Sequence, residues 1–176
     1  MNNTKVIIIT GNKGDGKTTM LLKIVDVLNN YNTNVAGFVA VGEWRNGERS
    51  KYTLVDILSG KSAIICTDTA INGYDKHGRF YFNPLAIKFG EKILSNTQKQ
   101  NWVIVIDEIG PFELEGKVWH KLLLHHIEKT QNLLLLSVRE SLVDEIVEKY
   151  KLTNVIIYNT KANVSAIVKE IRQNVI

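Results

Sequence analysis

VIIITGNKGDGKTTMLLKIV, residues Val6 to Val25, runs an apolar, β-branched segment into a glycine-rich turn and then into a leucine-rich segment. Gly11, Gly14 and Gly16 crowd one short turn with Lys13 and Lys17, although every glycine there costs backbone entropy on folding. Something other than folding therefore requires the turn. Lys5 to Thr10 reads as a buried strand, and Lys17 to Leu28 as a helix closed by the polar run NNYNTN. Gly11 to Thr18 fits GxxxxGK[ST], between strand and helix, where glycines let successive N–H groups curl around an anion. The helix N-terminus adds partial positive charge at the same place. The candidate binding residues are Gly11, Asn12, Lys13, Gly14, Asp15, Gly16, Lys17, Thr18 and Thr19. Lys17 is expected to reach the β- and γ-phosphates of a nucleoside triphosphate, Thr18 to ligate Mg²⁺, and Thr19 to support the α-phosphate. Lys13 faces either solvent or the γ-phosphate.

Outward from this turn, apolar strands alternate with amphipathic helices. Strands are expected at Val35 to Val41, in WVIVIDEIG (102–110), in NLLLLSV (132–138) and in NVIIYN (154–159). Helices are expected from Pro84, with Asn83 as cap, over Lys117 to Lys129, in SLVDEIVEKY (141–150) and in NVSAIVKEIRQNV (163–175). This alternation predicts an α/β three-layer sandwich, a mostly parallel sheet covered on both faces. Residues from about 42 to 82 break the rhythm. Asn46-Gly47 sits between two β-rich runs and marks a hairpin, with Lys51 to Leu58 returning and Ala63 to Cys66 following. YDKHGR (74–79) reads as a turn before an extended Phe80 to Phe82. The insertion is expected to add antiparallel strands at one edge of a single domain spanning 1–176.

Val103-Ile-Val-Ile-Asp107-Glu108 ends a buried strand in two carboxylates, an expensive arrangement unless a cation is near. Asp107 is placed to bind Mg²⁺ directly or through its water shell. Glu108, on the other side of the strand end, is placed to orient and deprotonate an attacking water. Glu113 has two readings, a contact to the water, the metal or Lys117, or an acid at a helix N-terminus. Positive charge near the γ-phosphate has three candidates. Arg139 directly follows a buried strand at the edge of the sheet where ligands bind, and is the first choice over Arg45 and Arg49, which flank the hairpin tip and read mainly as solvated charges.

The remaining features narrow the field. The chain has 176 residues, 44% hydrophobic and 23% charged, with a net charge of +4 spread along its length. No basic stripe or aromatic-interleaved motif points to nucleic acid. Cys66 is the single cysteine, so it reads as a small buried hydrophobe and forms no intrachain disulfide. His120, His125 and His126 share a helix without an i, i+4 pair, which argues against a metal site, and His77 lies in a polar turn. Trp44, Trp102 and Trp119 read as packing residues, and Tyr158 as an aromatic on which a base could stack. MNNTKV carries no leader pattern and no apolar run reaches 18 residues, so a cytoplasmic, membrane-free protein is expected.

GNKGDGKTT, GFVAVGEWRNGERSKYTLVDILSG and VIDEIGPFELEG occur in this order. Together they resemble the small nucleoside-triphosphatase family that includes cancer-related and thermophile nucleoside triphosphatases. The resemblance is clearest up to about Gly116. The E-x-R-x-G-x-R hairpin joined to the DEIG-P-x-E segment is its specific part. It implies a P-loop NTPase fold and slow, Mg²⁺-dependent hydrolysis of ATP, GTP and other nucleoside triphosphates to diphosphate and phosphate. It implies Lys17, Thr18, Asp107 and Glu108 as core site residues. The chain departs at Phe112, where the family commonly has methionine, and at Ser50-Lys51-Tyr52, where it commonly has glycine-phenylalanine after the second hairpin arginine. Two other functions use the same loop: a kinase acting on a nucleotide or another small hydroxyl compound, and a nucleotide-binding switch with little turnover of its own.

Overall fold

A computed structural model describes residues 4–97 and 100–175. The first three residues of the MNNTKV segment and the last residue of the expected 1–176 domain lie outside the described residues. The strands are β1 (Val6–Gly11), β2 (Val35–Arg45), β3 (Glu48–Asp56), β4 (Ser62–Thr67), β5 (Asp75–His77), β6 (Phe80–Phe82), β7 (Val103–Ile109), β8 (Leu133–Arg139) and β9 (Val155–Asn159). The helices are α1 (Lys17–Asn30), α2 (Pro84–Ser95), α3 (Pro111–Leu114), α4 (His120–Lys129), α5 (Val143–Lys149) and α6 (Val164–Asn174), with a 3-10 turn at Glu140–Leu142.

One nine-stranded sheet runs β5-β6-β4-β3-β2-β7-β8-β1-β9. The five strands from β2 to β9 in that order are parallel. The four from β3 outward are antiparallel. The expected insertion therefore adds its strands at one edge. Two expectations change in detail. Asp75–His77, within the YDKHGR stretch read as a turn, is a short strand paired with Phe80–Phe82, and only Gly78-Arg79 turns. The helix expected over Lys117 to Lys129 starts at His120, and a separate short helix occupies Pro111–Leu114. Both differences fall where segments are too short for a hydrophobic period to register.

Alternation along each strand builds two cores. Ile8, Ile104, Ile106, Leu134 and Leu136 face the layer containing Trp119, Leu123 and Ile146. Ile7, Ile9, Val103, Val105, Leu133 and Leu135 face Leu21, Ile24 and Ile171. Helices on both faces explain why the central strands are apolar throughout. At Gly37 the sheet requires glycine outright. Its φ is 109°, and an added Cβ would lie 2.0 Å from the Val105 carbonyl oxygen on β7. No described helix is long and apolar enough to cross a membrane.

The parallel centre has one consequence for function. The carboxyl ends of β1, β7, β8 and β2 share one edge, so Gly11, Asp107, Ser137, Arg139 and Ala40 come together although they are far apart in sequence.

Candidate active site

The turn after β1 takes the conformation its glycines permit. Gly14 and Gly16 have φ of 90° and 88°, values at which an L side chain is strained. Gly16 caps α1 in the left-handed region and no side chain caps the helix, so the first amides of α1 are left to an outside acceptor. Asp15 holds the loop closed by accepting from the Asn12 amide at 2.7 Å. Lys17 is 4% exposed, and its Nζ donates to the carbonyls of Gly11 at 3.1 Å and Asn12 at 2.9 Å. Its ammonium is thereby held beneath the loop.

Opposite the loop, β7 ends in a bulge. Ile106 pairs with Leu136 and Ile109 with Val138, so Asp107 and Glu108 together face the single residue Ser137. Such a bulge re-aims side chains at a strand end. Here it forces Glu108 to φ 64°, a conformation that costs a non-glycine residue about 1–3 kcal/mol. Ser137 Oγ stabilises it by accepting the Glu108 amide at 2.8 Å while donating to Asp107 Oδ1.

Asp107 is 1% exposed. Its Oδ2 accepts from Thr18 Oγ1 at 2.8 Å and from the Ala40 amide at 2.9 Å. Burial, and then the neighbouring Glu108 carboxylate, push its pKa up to about 6 against the pull of these donors. A carboxylate so placed favours a cation beside it. Thr18 Oγ1 and Asp107 Oδ2 are hard oxygen donors in contact, the donor type that Mg²⁺ prefers. The residues present fit that ion, which would complete its shell from phosphate oxygens and water. No group of three His, Cys, Asp or Glu side chains among the described residues forms a denser metal site.

A cavity of about 270 Å³ lies above the loop, lined by Lys13, Thr18, Arg49, Glu108 and Arg139 among others. Arg139 ends β8 in register with Gly11 of β1, and so reaches the cavity as expected. Arg49 departs from the expectation of a solvated hairpin charge. Its guanidinium stacks 4.2 Å over the Trp44 ring and donates to the Gly42 carbonyl, at the cavity wall. Arg45 instead pairs with Asp68 on the far side of the hairpin. Trp44 is 57% exposed and stands beside Gly14, so it is no packing residue.

A second, more apolar cavity of about 530 Å³ adjoins the first and shares Lys13, Ala40, Tyr52, Glu108 and Arg139 with it. Glu113 lies in its wall, 2% exposed, accepting the Gly110 amide at 2.9 Å and the Trp119 amide at 3.2 Å. Burial raises its pKa to about 7. Glu113 therefore holds the chain segment after β7 in shape, and Lys117 pairs with Glu115 rather than with it. His126 is buried against Thr97 and the Leu94 carbonyl, a packing position, and Cys66 is buried as expected. Tyr158 is half-buried and packs against the second core. Ser137 and Trp44 were missed as site residues. The signal for Ser137 is a lone hydroxyl after four apolar residues of β8, the same offset at which Asp107 ends the apolar run of β7.

Comparison with known proteins places the chain in context. The model of a family described as NTPase matches residues 6–172. The relative named Nucleoside-triphosphatase THEP1 from Saccharolobus solfataricus is 37% identical over 118 residues, 66% of this chain. The match spans about two thirds, 66%, of that relative's own length. The solution structure of a human cancer-related nucleoside triphosphatase aligns with a TM-score of 0.71 at 23% identity, covering 97% of this chain and 96% of the other. The crystal structure of THEP1 from the hyperthermophile Aquifex aeolicus aligns at 0.73 and 20% identity, covering 94% and 98%. The two structural likenesses establish a shared P-loop NTPase fold.

Proposed function

This chain belongs to the NTPase family, and from that premise we propose that it hydrolyses nucleoside triphosphates to diphosphates and inorganic phosphate, acting as a single domain over residues 1–176 with the hairpin insertion at about 42–82. The observation that carries this reading is the bulge at Asp107-Glu108, which turns one carboxylate toward Thr18 and leaves the other on the cavity wall.

The geometry supports the following roles. Amides of the loop Gly11 to Thr19 surround the phosphates, and the α1 N-terminus adds its partial positive charge. Lys17 exchanges its two carbonyl partners for β- and γ-phosphate oxygens. Thr18 and Asp107 would hold Mg²⁺, and that ion would supply neutralising positive charge to the triphosphate. Glu108 orients a water and takes its proton as the water oxygen bonds to the γ-phosphorus. The bond from that phosphorus to the bridging oxygen breaks, and its electron pair leaves with the diphosphate. Arg139 compensates charge on the departing groups. Positioning and electrostatics do nearly all the work, and the family resemblance implies loose base selectivity, with ATP, GTP and other triphosphates as substrates. The reading places the protein in the cytoplasm, off membranes and nucleic acid, where these nucleotides are found.

Phosphate release from ATP, GTP, CTP and UTP, with Mg²⁺ and with the metal chelated, is the direct test. Metal-dependent release from several triphosphates, abolished by Lys17→Ala, supports the reading. No release from any of them overturns it.

A further inference from the structure

We propose that the cavity of about 530 Å³ beyond Glu108 is an acceptor pocket for an uncharged aromatic alcohol of nucleoside size, which receives the γ-phosphoryl group in place of water. The inference rests on the nucleotide-binding reading of the glycine turn and adds a second substrate to it.

Water needs no pocket, and this one falls in the size range of small-molecule sites. Its walls come from the part of the fold that a phosphate loop does not require. Tyr52, Phe80 and Phe82 stand on the antiparallel insertion, and Phe112 on the short helix after β7. The rings are organised as a cage. Phe82 and Phe112 meet edge-to-face at 5.1 Å, and His77 meets Phe112 edge-to-face at 4.8 Å. Tyr52 meets Phe80 at 5.7 Å. Such walls favour a planar ring as guest.

The inner end of the same cavity is the phosphate site. Lys13, Asp107, Glu108 and Arg139 line it there, so a hydroxyl presented by a guest faces the γ-phosphate across Glu108. The outer end decides the guest's charge. Arg79 already donates to Glu48 and to the Arg49 carbonyl, and Glu115 is paired with Lys117. A phosphate on the guest would find no uncommitted cation among the described lining residues at that end, so a nucleoside fits and a nucleoside monophosphate does not.

The step balances without any further reactant. The acceptor oxygen bonds to the γ-phosphorus while the bond to the β,γ-bridging oxygen breaks. The bridging electron pair leaves with the nucleoside diphosphate, and the hydroxyl proton passes to Glu108. The products are a phosphomonoester and a diphosphate, with no change of oxidation state.

The test uses the full chain and the nucleosides adenosine, guanosine, cytidine, uridine and thymidine as probes. Calorimetry on Lys17→Ala, which is expected to bind triphosphate weakly, should still show a nucleoside bound. His77→Ala, an exposed residue outside the core, and Phe112→Ala should each weaken that binding about three- to tenfold. With wild-type protein, Mg²⁺ and γ-labelled ATP, label should move into a phosphomonoester as free phosphate falls. The matching monophosphates should bind more weakly than the nucleosides. If no nucleoside binds, or if one binds and no label reaches it, the acceptor role is overturned. Phosphate release in parallel reactions without nucleoside would leave the hydrolytic reading standing, whereas no release in those nucleoside-free reactions would sink that reading separately.

Discussion

Ser137→Ala removes one oxygen and tests the whole arrangement at the end of β7. The hydroxyl is fully buried and serves two partners, donating to Asp107 Oδ1 and accepting from the Glu108 amide. Its loss strands a donor and an acceptor. At about 1–2 kcal/mol for each group left unsatisfied, the cost is roughly 2–4 kcal/mol. For a chain of this size each kcal/mol lowers Tm by about 2–4 °C, so the melt should fall by about 4–16 °C. Activity should fall as well. The hydrogen bond from the Glu108 amide to Ser137 Oγ offsets part of the strain in Glu108 at φ 64°, and without it the backbone relaxes and displaces the carboxylate. A displacement near 1 Å costs about a hundredfold in rate. Differential scanning calorimetry and phosphate-release kinetics read the two effects. Thr10→Val supplies the internal comparison. Thr10 lies opposite Val138 on the adjacent strand, and its buried hydroxyl is without a hydrogen-bond partner among the described residues. Removing it should leave Tm unchanged or raise it. If Ser137→Ala melts and turns over like the parent, the hydroxyl organises nothing and the account of the bulge is wrong.

Three further outcomes are expected. Gly37→Ala should destabilise by more than about 3 kcal/mol, because an alanine at φ 109° would drive its Cβ into the Val105 carbonyl, and a melt close to wild type would contradict the pairing of β2 with β7. Glu113 is held up at about 7 from an ordinary 4.5 by burial, so between those values the folded state keeps a proton that the unfolded chain releases. Its contribution to stability is complete below pH 4.5 and drains away as pH rises through 7, so the stability of Glu113→Gln relative to wild type should climb by about 3 kcal/mol across that window in denaturant titrations; parallel curves would refute the assignment. Arg139→Ala should lower kcat by about tenfold to a thousandfold with little effect on triphosphate affinity, and an unchanged kcat would move the compensating charge to Arg49.

The phosphate loop was legible because its glycines, lysine and threonine lie within eight residues and because strand and helix periods bracket it. The parallel centre was legible for the same reason, each strand being a continuous apolar run such as WVIVI or NLLLL. What escaped reading depends on register. Ser137 becomes a site residue only because β7 carries one residue more than β8 at that point, and no local pattern in either strand announces a bulge. Arg49 and Trp44 reach the cavity on a hairpin whose register shifts between Glu43 and Trp44, a matter of strand pairing rather than of composition. The three-residue strand Asp75–His77 is too short and too polar to be told from a turn, yet it brings His77 against Phe112.

The proposed hydrolysis turns on Glu108 activating the nucleophile while the glycine turn holds the triphosphate. Glu108→Gln separates the two, measured as equilibrium binding of a non-hydrolysable triphosphate alongside single-turnover phosphate release. Affinity should stay within about threefold of wild type while the chemical step slows by about two to four orders of magnitude. Release at the parent rate by Glu108→Gln would contradict this proposal.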